Sequence, residues 1–168
     1  MSLWFMTAMR ELIDALEKTP DMIAKLVDRL SQANLRLRNS AGEFSAIENV
    51  CHLRDIEIEG YTSRINRILD ETRPLLPDID GGRLAIERNY NDQNPDVALQ
   101  AFADARKQNI QTLRGLANEQ LDREGTLEGV GTVTLGRLLL LMREHDEGHI
   151  RDLRVIRETT PLRQSLTE

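Results

Sequence analysis

Three histidines stand in the 168-residue chain, and two of them, His145 and His149, are four positions apart. At about 100° per residue, helix positions i and i+4 stand one above the other, roughly 5–6 Å apart at Cβ. Two imidazoles so placed can share one metal ion, as the paired histidines of helical zinc motifs do. Leu135, Leu138, Leu141, Met142, Leu153 and Ile156 fall on the same arc of that helix, and so does Asp152. The remaining histidine, His52, lies at the edge of an apolar arc made by Ile47, Val50, Cys51, Leu53, Ile65 and Ile68. Glu48, Asp55 and Glu59 flank it and would favour a cation there. An edge position suits a ligand in a groove between helices. Three histidines are also what a catalytic zinc-type site needs, with one position left for water or substrate. His52 enters this set as the one histidine left over, and a hydrogen-bonded core histidine is the competing reading for each of the three.

Other polar residues fall on or beside these faces. Arg106 sits within the apolar face of Leu99, Phe102, Ala103, Ile110 and Leu113. A guanidinium there needs a partner, because an unpaired buried charge costs several kcal/mol; Glu57 or Asp152 would serve, and a substrate anion is the alternative. Glu48 and Asp152 are candidates for proton transfer. Asp146 and Asp152 could orient ligand histidines, although a plain helix-surface charge suits Asp146 better. Cys51 adjoins His52 but diverges from it by about 100° on a helix, so it reads as a small core residue rather than a nucleophile. A di-iron carboxylate bundle would want Glu-x-x-His twice, and that motif precedes none of the three histidines. A Gly-rich phosphate loop, a Gly-x-Ser-x-Gly elbow and a Cys-x-x-Cys pair are likewise missing.

The elements that must position these residues read as helix nearly throughout. A first helix spans about Phe5 to Lys18, and Thr19-Pro20-Asp21 opens a second to about Leu30. Either these are one helix kinked at Pro20 or two in series. The pattern lapses from Ser31 to Glu43, with a turn at Asn39-Ser40-Ala41-Gly42. Ser45 and Glu48 form a capping box opening a long helix from Ala46 to about Glu71. The stretch Arg73–Asn94 is a long connection, of the kind often packed over a site. Asn94-Pro95-Asp96 starts a helix to about Asn118. Gly125, Gly129 and Gly131 mark a loop without a strong hairpin signal, and Thr132 or Thr134 caps a last helix to about Glu158. Four major helices with a long crossover describe a single all-α bundle domain over residues 1–168.

Composition narrows the function. Asp and Glu outnumber Lys and Arg, 28 to 22, for a formal charge of −6, which argues against nucleic-acid or anionic-membrane partners. One cysteine excludes an internal disulfide and fits a reducing, cytoplasmic setting. No apolar run approaches the roughly 18 residues of a membrane-spanning helix.

Taken in order, Gly42-Glu43-Phe44-Ser45-Ala46-Ile47-Glu48, Val50, His52-Leu53, Arg106, Gly131-Thr-Val-Thr-Leu135 and His145-Asp146-Glu147-Gly148-His149 resemble the DinB/YfiT-like family. Phe44 stands where that family usually has Trp. The resemblance implies a four-helix bundle with up-down-down-up topology, often a homodimer. It implies one divalent metal, zinc or nickel, held by His52, His145 and His149. It further implies a small-molecule substrate and an enzyme activity, as a thiol-dependent transferase or isomerase using a low-molecular-weight thiol, or as a hydrolase. A non-enzymatic bundle with structural histidines is the alternative.

Overall fold

The computed structural model describes residues 3–40 and 42–159, so Ala41 of the expected turn lies outside the described residues. Helix α1 runs unbroken over Leu3–Val27, through Pro20. Proline removes the N–H that would bond the carbonyl four residues back, and that carbonyl, on Leu16, is taken instead by Arg106 Nη1 at 2.9 Å. The two expected N-terminal pieces are therefore one helix, with Thr19 inside it rather than capping a second. A short α2 (Gln32–Arg36), capped by the Ser31 side chain, occupies part of the stretch expected to be irregular.

The expected capping box is present: Ser45 Oγ accepts from Glu48 N, and the Glu48 carboxylate accepts from Ser45 N. The helix that follows is continuous but changes pitch. It is α-helical as α3 (Ala46–Asp55), π-helical over Ile56–Thr62, and α-helical again as α4 (Ser63–Asp70). The Thr62 hydroxyl donates to the Glu57 carbonyl at 2.9 Å, closing the wide turn. Such π segments are rare and frequently lie at functional sites. The connection after it carries β1 (Leu75–Leu76), α5 (Gly81–Glu87) and a 3₁₀ turn over Tyr90–Asp92.

Asn94 Oδ1 accepts from Asp96 N and Val97 N to start α6 (Pro95–Arg114). A hairpin follows, β2 (Glu124–Leu127) and β3 (Gly131–Thr134), whose turn uses positive φ at Gly129 and Gly131. Each strand holds only four residues, too few to raise an alternation above the helical background. Thr134 Oγ1 accepts from Arg137 N at the start of α7 (Leu135–Thr159).

Cross-helix contacts give the directions. Met9, Leu12 and Ile13 of α1 share a core with Ile110 and Leu113 of α6, whereas Ile23 and Leu26 share the other with Ala98 and Phe102, so those helices are antiparallel. Glu57 and Thr62 meet Arg106 and Asn109, so the Ala46–Asp70 run and α6 are parallel. Arg157 near the end of α7 donates to Lys25 O near the end of α1. The order is up, down, down, up. Accordingly β1 and β2, which follow the two parallel helices, pair in parallel at the same end of the bundle.

Two apolar cores fill the bundle. One contains Leu12, Leu16, Ile65, Ile68, Leu113 and Leu138 near the sheet; the other contains Ile23, Ile47, Val50, Phe102 and Leu153 towards the far end. Between them lies a polar layer: His52, Glu57, Arg106, His145, Asp146 and His149. No described helix is long and apolar enough to cross a membrane.

Candidate metal centre

Helix α3 supplies His52, and α7 supplies His145 and His149 one turn apart. The three imidazoles converge. His145 Nε2 lies 3.0 Å from His52 Nε2 and 3.2 Å from His149 Nε2. One ligand nitrogen from each ring lies within 4.8 Å of the others, and no fourth His, Cys, Asp or Glu joins them among the described residues. Imidazole nitrogens bound at about 2.0–2.1 Å to one tetrahedral ion stand about 3.3 Å apart. The donor set and spacing fit a divalent cation.

Electrostatics favours the ligating form. Burial pushes the His52 and His149 imidazoles down to about 4, and that of His145 to about 2. At His145 the nearby His149, His52, Arg106 and Arg64 charges add to the effect. All three rings are therefore neutral at pH 7 and carry lone pairs. For His149 the tautomer follows from its neighbours. Asn49 Nδ2 donates to the carbonyls of Ser45 (2.9 Å) and Phe44 (3.3 Å). That fixes the amide so that its Oδ1 faces His149 Nδ1 at 2.7 Å and must accept. The proton sits on Nδ1, and Nε2 presents its lone pair to the cluster. By contrast, Nδ1 of both His52 and His145 is buried without a hydrogen-bond partner. Asp146 Oδ1 stands 4.0 Å from His145 Nδ1, too far for a hydrogen bond.

The long connection reaches the centre. A Cβ on Gly81 would collide with Cε1 and Nδ1 of His52, so the absence of a side chain lets this backbone press on the ring. On its other side His52 meets Phe44, with ring centroids 5.3 Å apart. Phe44 also lines, with Glu43, Asp152, Val155 and Ile156, a cavity of about 410 Å³ whose wall includes none of the three histidines.

The remaining sequence candidates are placed differently from expectation. Arg106 is buried and uses all five of its N–H donors: two bonds go to Glu57, two to Asp146 and one to Leu16 O. Its partners are Glu57, as expected, and Asp146 in place of Asp152. Asp146, expected at the surface, is only 2% exposed. Asp152, expected on the buried arc, is exposed, because its neighbour Leu153 takes the inward position. Glu48 is buried, and although burial raises its carboxyl, Arg38 and Ser45 hold it below the ordinary value. The acids flanking His52 do not leave a free negative field, since Asp55 binds Arg54, Arg88 and Tyr90, and Glu59 binds Arg88. Cys51 is a core residue, its Sγ turned to Tyr90 O. Three residues escaped the sequence reading: Asn49, Asn109 and Gly81. Asn49 lies one turn before His52, and a polar amide inside a helix was the available signal. Asn109 Nδ2 donates to Glu57 and Thr62.

The structure of YfiT from Bacillus subtilis, described as "a probable metal-dependent hydrolase with an unusual four-helix bundle topology", superposes with a TM-score of 0.85 at 20% identity. The match covers 94% of this chain and 89% of that one, and it establishes the shared fold. No curated protein matches the chain in sequence. The DinB superfamily model matches residues 15–153, well over half of the chain, and the protein belongs to the DinB superfamily.

Proposed function

We propose that this protein is a metal-dependent hydrolase in which His52, His145 and His149 hold one divalent ion, zinc or nickel. The carrying observation is the convergence of three Nε2 atoms without a fourth protein ligand among the described residues. Structural zinc sites are closed by four protein ligands, whereas catalytic sites keep three and leave a position open. The description of YfiT supports the same reading. The bound ion supplies Lewis acidity and lowers the pKa of a water or thiol at its open position.

The chain's own residues do the rest. Asn49 holds His149 in the tautomer that turns Nε2 inward. Gly81 and Phe44 pack against His52 and fix its ring. Asp152, exposed in the wall of the cavity that Phe44 borders, is the carboxylate left for proton transfer. Glu48, engaged by Arg38 and by the helix start, is not available for that task.

A low-molecular-weight thiol as co-substrate would occupy the same open position and make the enzyme a transferase. Such a thiol would come from outside, because burial pushes the Cys51 thiol up to about 11. Metal analysis of tag-free protein, followed by ester and amide hydrolysis assays with and without added cysteine, tests the proposal. One equivalent of metal and turnover that disappears on chelation and returns on reloading are expected. Turnover only with thiol would assign a transferase, and stoichiometric metal without any turnover would make the site structural.

A further inference from the structure

Most buried or half-buried arginines in the polar interior carry a close carboxylate. Arg106 has Glu57 and Asp146, and Arg54 has Asp55 at 2.6 Å; even the exposed Arg88 has Asp55 at 2.7 Å. Arg64 differs. It is 8% exposed, and its nearest carboxylate, Asp78, stands 3.9 Å away and is itself 73% exposed. One guanidinium bond is made, from Nη2 to Pro77 O at 2.8 Å, while Nε is buried with no partner. Five donors in a fork are the geometry that grips carboxylate and phosphate; here one is spent on Pro77 O, and Nε is buried without a partner, which is costly.

The position is equally specific. The Arg64 guanidinium lies over the Tyr61 ring, 5.8 Å from its centroid, and that ring stands edge-on to His145 at 6.0 Å. One aromatic ring thus separates the cation from the histidine cluster. The connecting segment clasps both ends of this face: Pro77 holds Arg64, Ile79 lies over Gly60, and Gly81 presses on His52. Arg106, the arginine first considered for an anion, has no donor left.

We infer that Arg64 anchors an oxyanion of the substrate, a carboxylate or a phosphoryl group, across Tyr61 from the three histidines. The inference deepens the hydrolase reading and rests on it for what lies beside the anion; the contact between anion and guanidinium needs no metal. Recognition at this point selects substrates whose anionic group lies about one ring's width from the bond to be cleaved.

Calorimetric titration of the metal-free protein with inorganic phosphate, and separately with acetate, provides the test. The wild type should bind at least one of them saturably, and the stronger probe distinguishes a phosphoryl from a carboxylate anchor. Arg64→Gln should weaken that binding at least tenfold, the loss of charge-assisted hydrogen bonds. Arg64→Lys should retain part of it, and Asp78→Asn should tighten it about twofold by removing a screened negative charge. The Arg64 Nε–H resonance of the wild type, assigned through Arg64→Lys, should shift during the titration, a readout independent of any variant's folding. Failure of both probes to bind, equal binding by Arg64→Gln, or a stationary Nε–H resonance would overturn the inference. Metal content measured in parallel keeps the two readings apart. Arg64-dependent binding in a protein that takes up no metal supports the anchor and sinks the hydrolase, whereas full metal loading with Arg64-independent binding sinks the anchor alone.

Discussion

Two polar clusters share one level of the bundle, between the two apolar cores, and they are satisfied in opposite ways. Around Arg106 every guanidinium donor meets an acceptor supplied by the chain, from Glu57, Asp146 and the Leu16 carbonyl that Pro20 leaves free. Around His145 three ring nitrogens face one another, and two Nδ1 atoms have no partner. The first cluster is closed, so its contribution is to one fixed arrangement of helices rather than to binding. The second is incomplete, and an incomplete polar cluster persists where something outside the chain completes it. Proximity in the fold does not make the two equivalent. What separates them is whether acceptors and donors balance without help.

Breaking the closed cluster should have the largest effect on folding. Arg106→Ala leaves Glu57 and Asp146 buried without a counter-charge, which costs about 3–5 kcal/mol and should appear as an early urea-denaturation midpoint, with or without metal. His145→Ala should act in the opposite sense. Metal affinity should fall by more than about 100-fold, beyond what loss of an orienting neighbour costs, while metal-free stability changes by less than about 1 kcal/mol. Equal destabilisation by the two variants would erase the distinction drawn here.

Acid sharpens the comparison further. The imidazoles of His52 and His149 are lowered to about 4 in the fold, below the ordinary value of 6.5. Between those limits the unfolded chain binds more protons than the folded one, so stability of the metal-free protein should fall as pH drops from about 6.5 to about 4. Metal-loaded protein should resist this decline until the ion is released. A metal-free triple variant with Gln at positions 52, 145 and 149 should lose the upper part of the decline in a pH series of thermal melts, leaving the fall at lower pH that Glu48 and Asp55, held below their ordinary values, contribute. Asn49→Leu gives the smallest effect: metal affinity lower by about 10–100-fold from loss of the His149 Nδ1 acceptor, with the three ligands retained. Calorimetric metal titration against wild type measures it.

The part of this picture legible in the sequence is the part with a helical period. His145 and His149 at i, i+4, the Ser45–Glu48 capping box and the Asn94-Pro95 start are local patterns, and each appears in the fold as read. Asp152 and Asp146 were misplaced because a 100° projection cannot say where neighbouring helices leave a gap. One rotates outward to the cavity beside Phe44, and the other inward to Arg106. The π-helical turn over Ile56–Thr62 has no composition of its own, and it shifts the faces of every residue after it. Asn49 and Gly81 escaped notice because their partners lie 100 and 29 positions away in the chain.

By itself, then, the sequence determined the largely helical content, the helix starts at Ser45, Asn94 and Thr134, the acidic charge balance and the pairing of two imidazoles on one helix face. These depend on spacing, side-chain propensity and charge, all properties of short segments. The tertiary structure decided that His52 completes the group, that Arg106 is saturated, and that Arg64 is not. Whether a buried polar atom finds a partner depends on groups brought together from distant helices, and no local pattern carries that information.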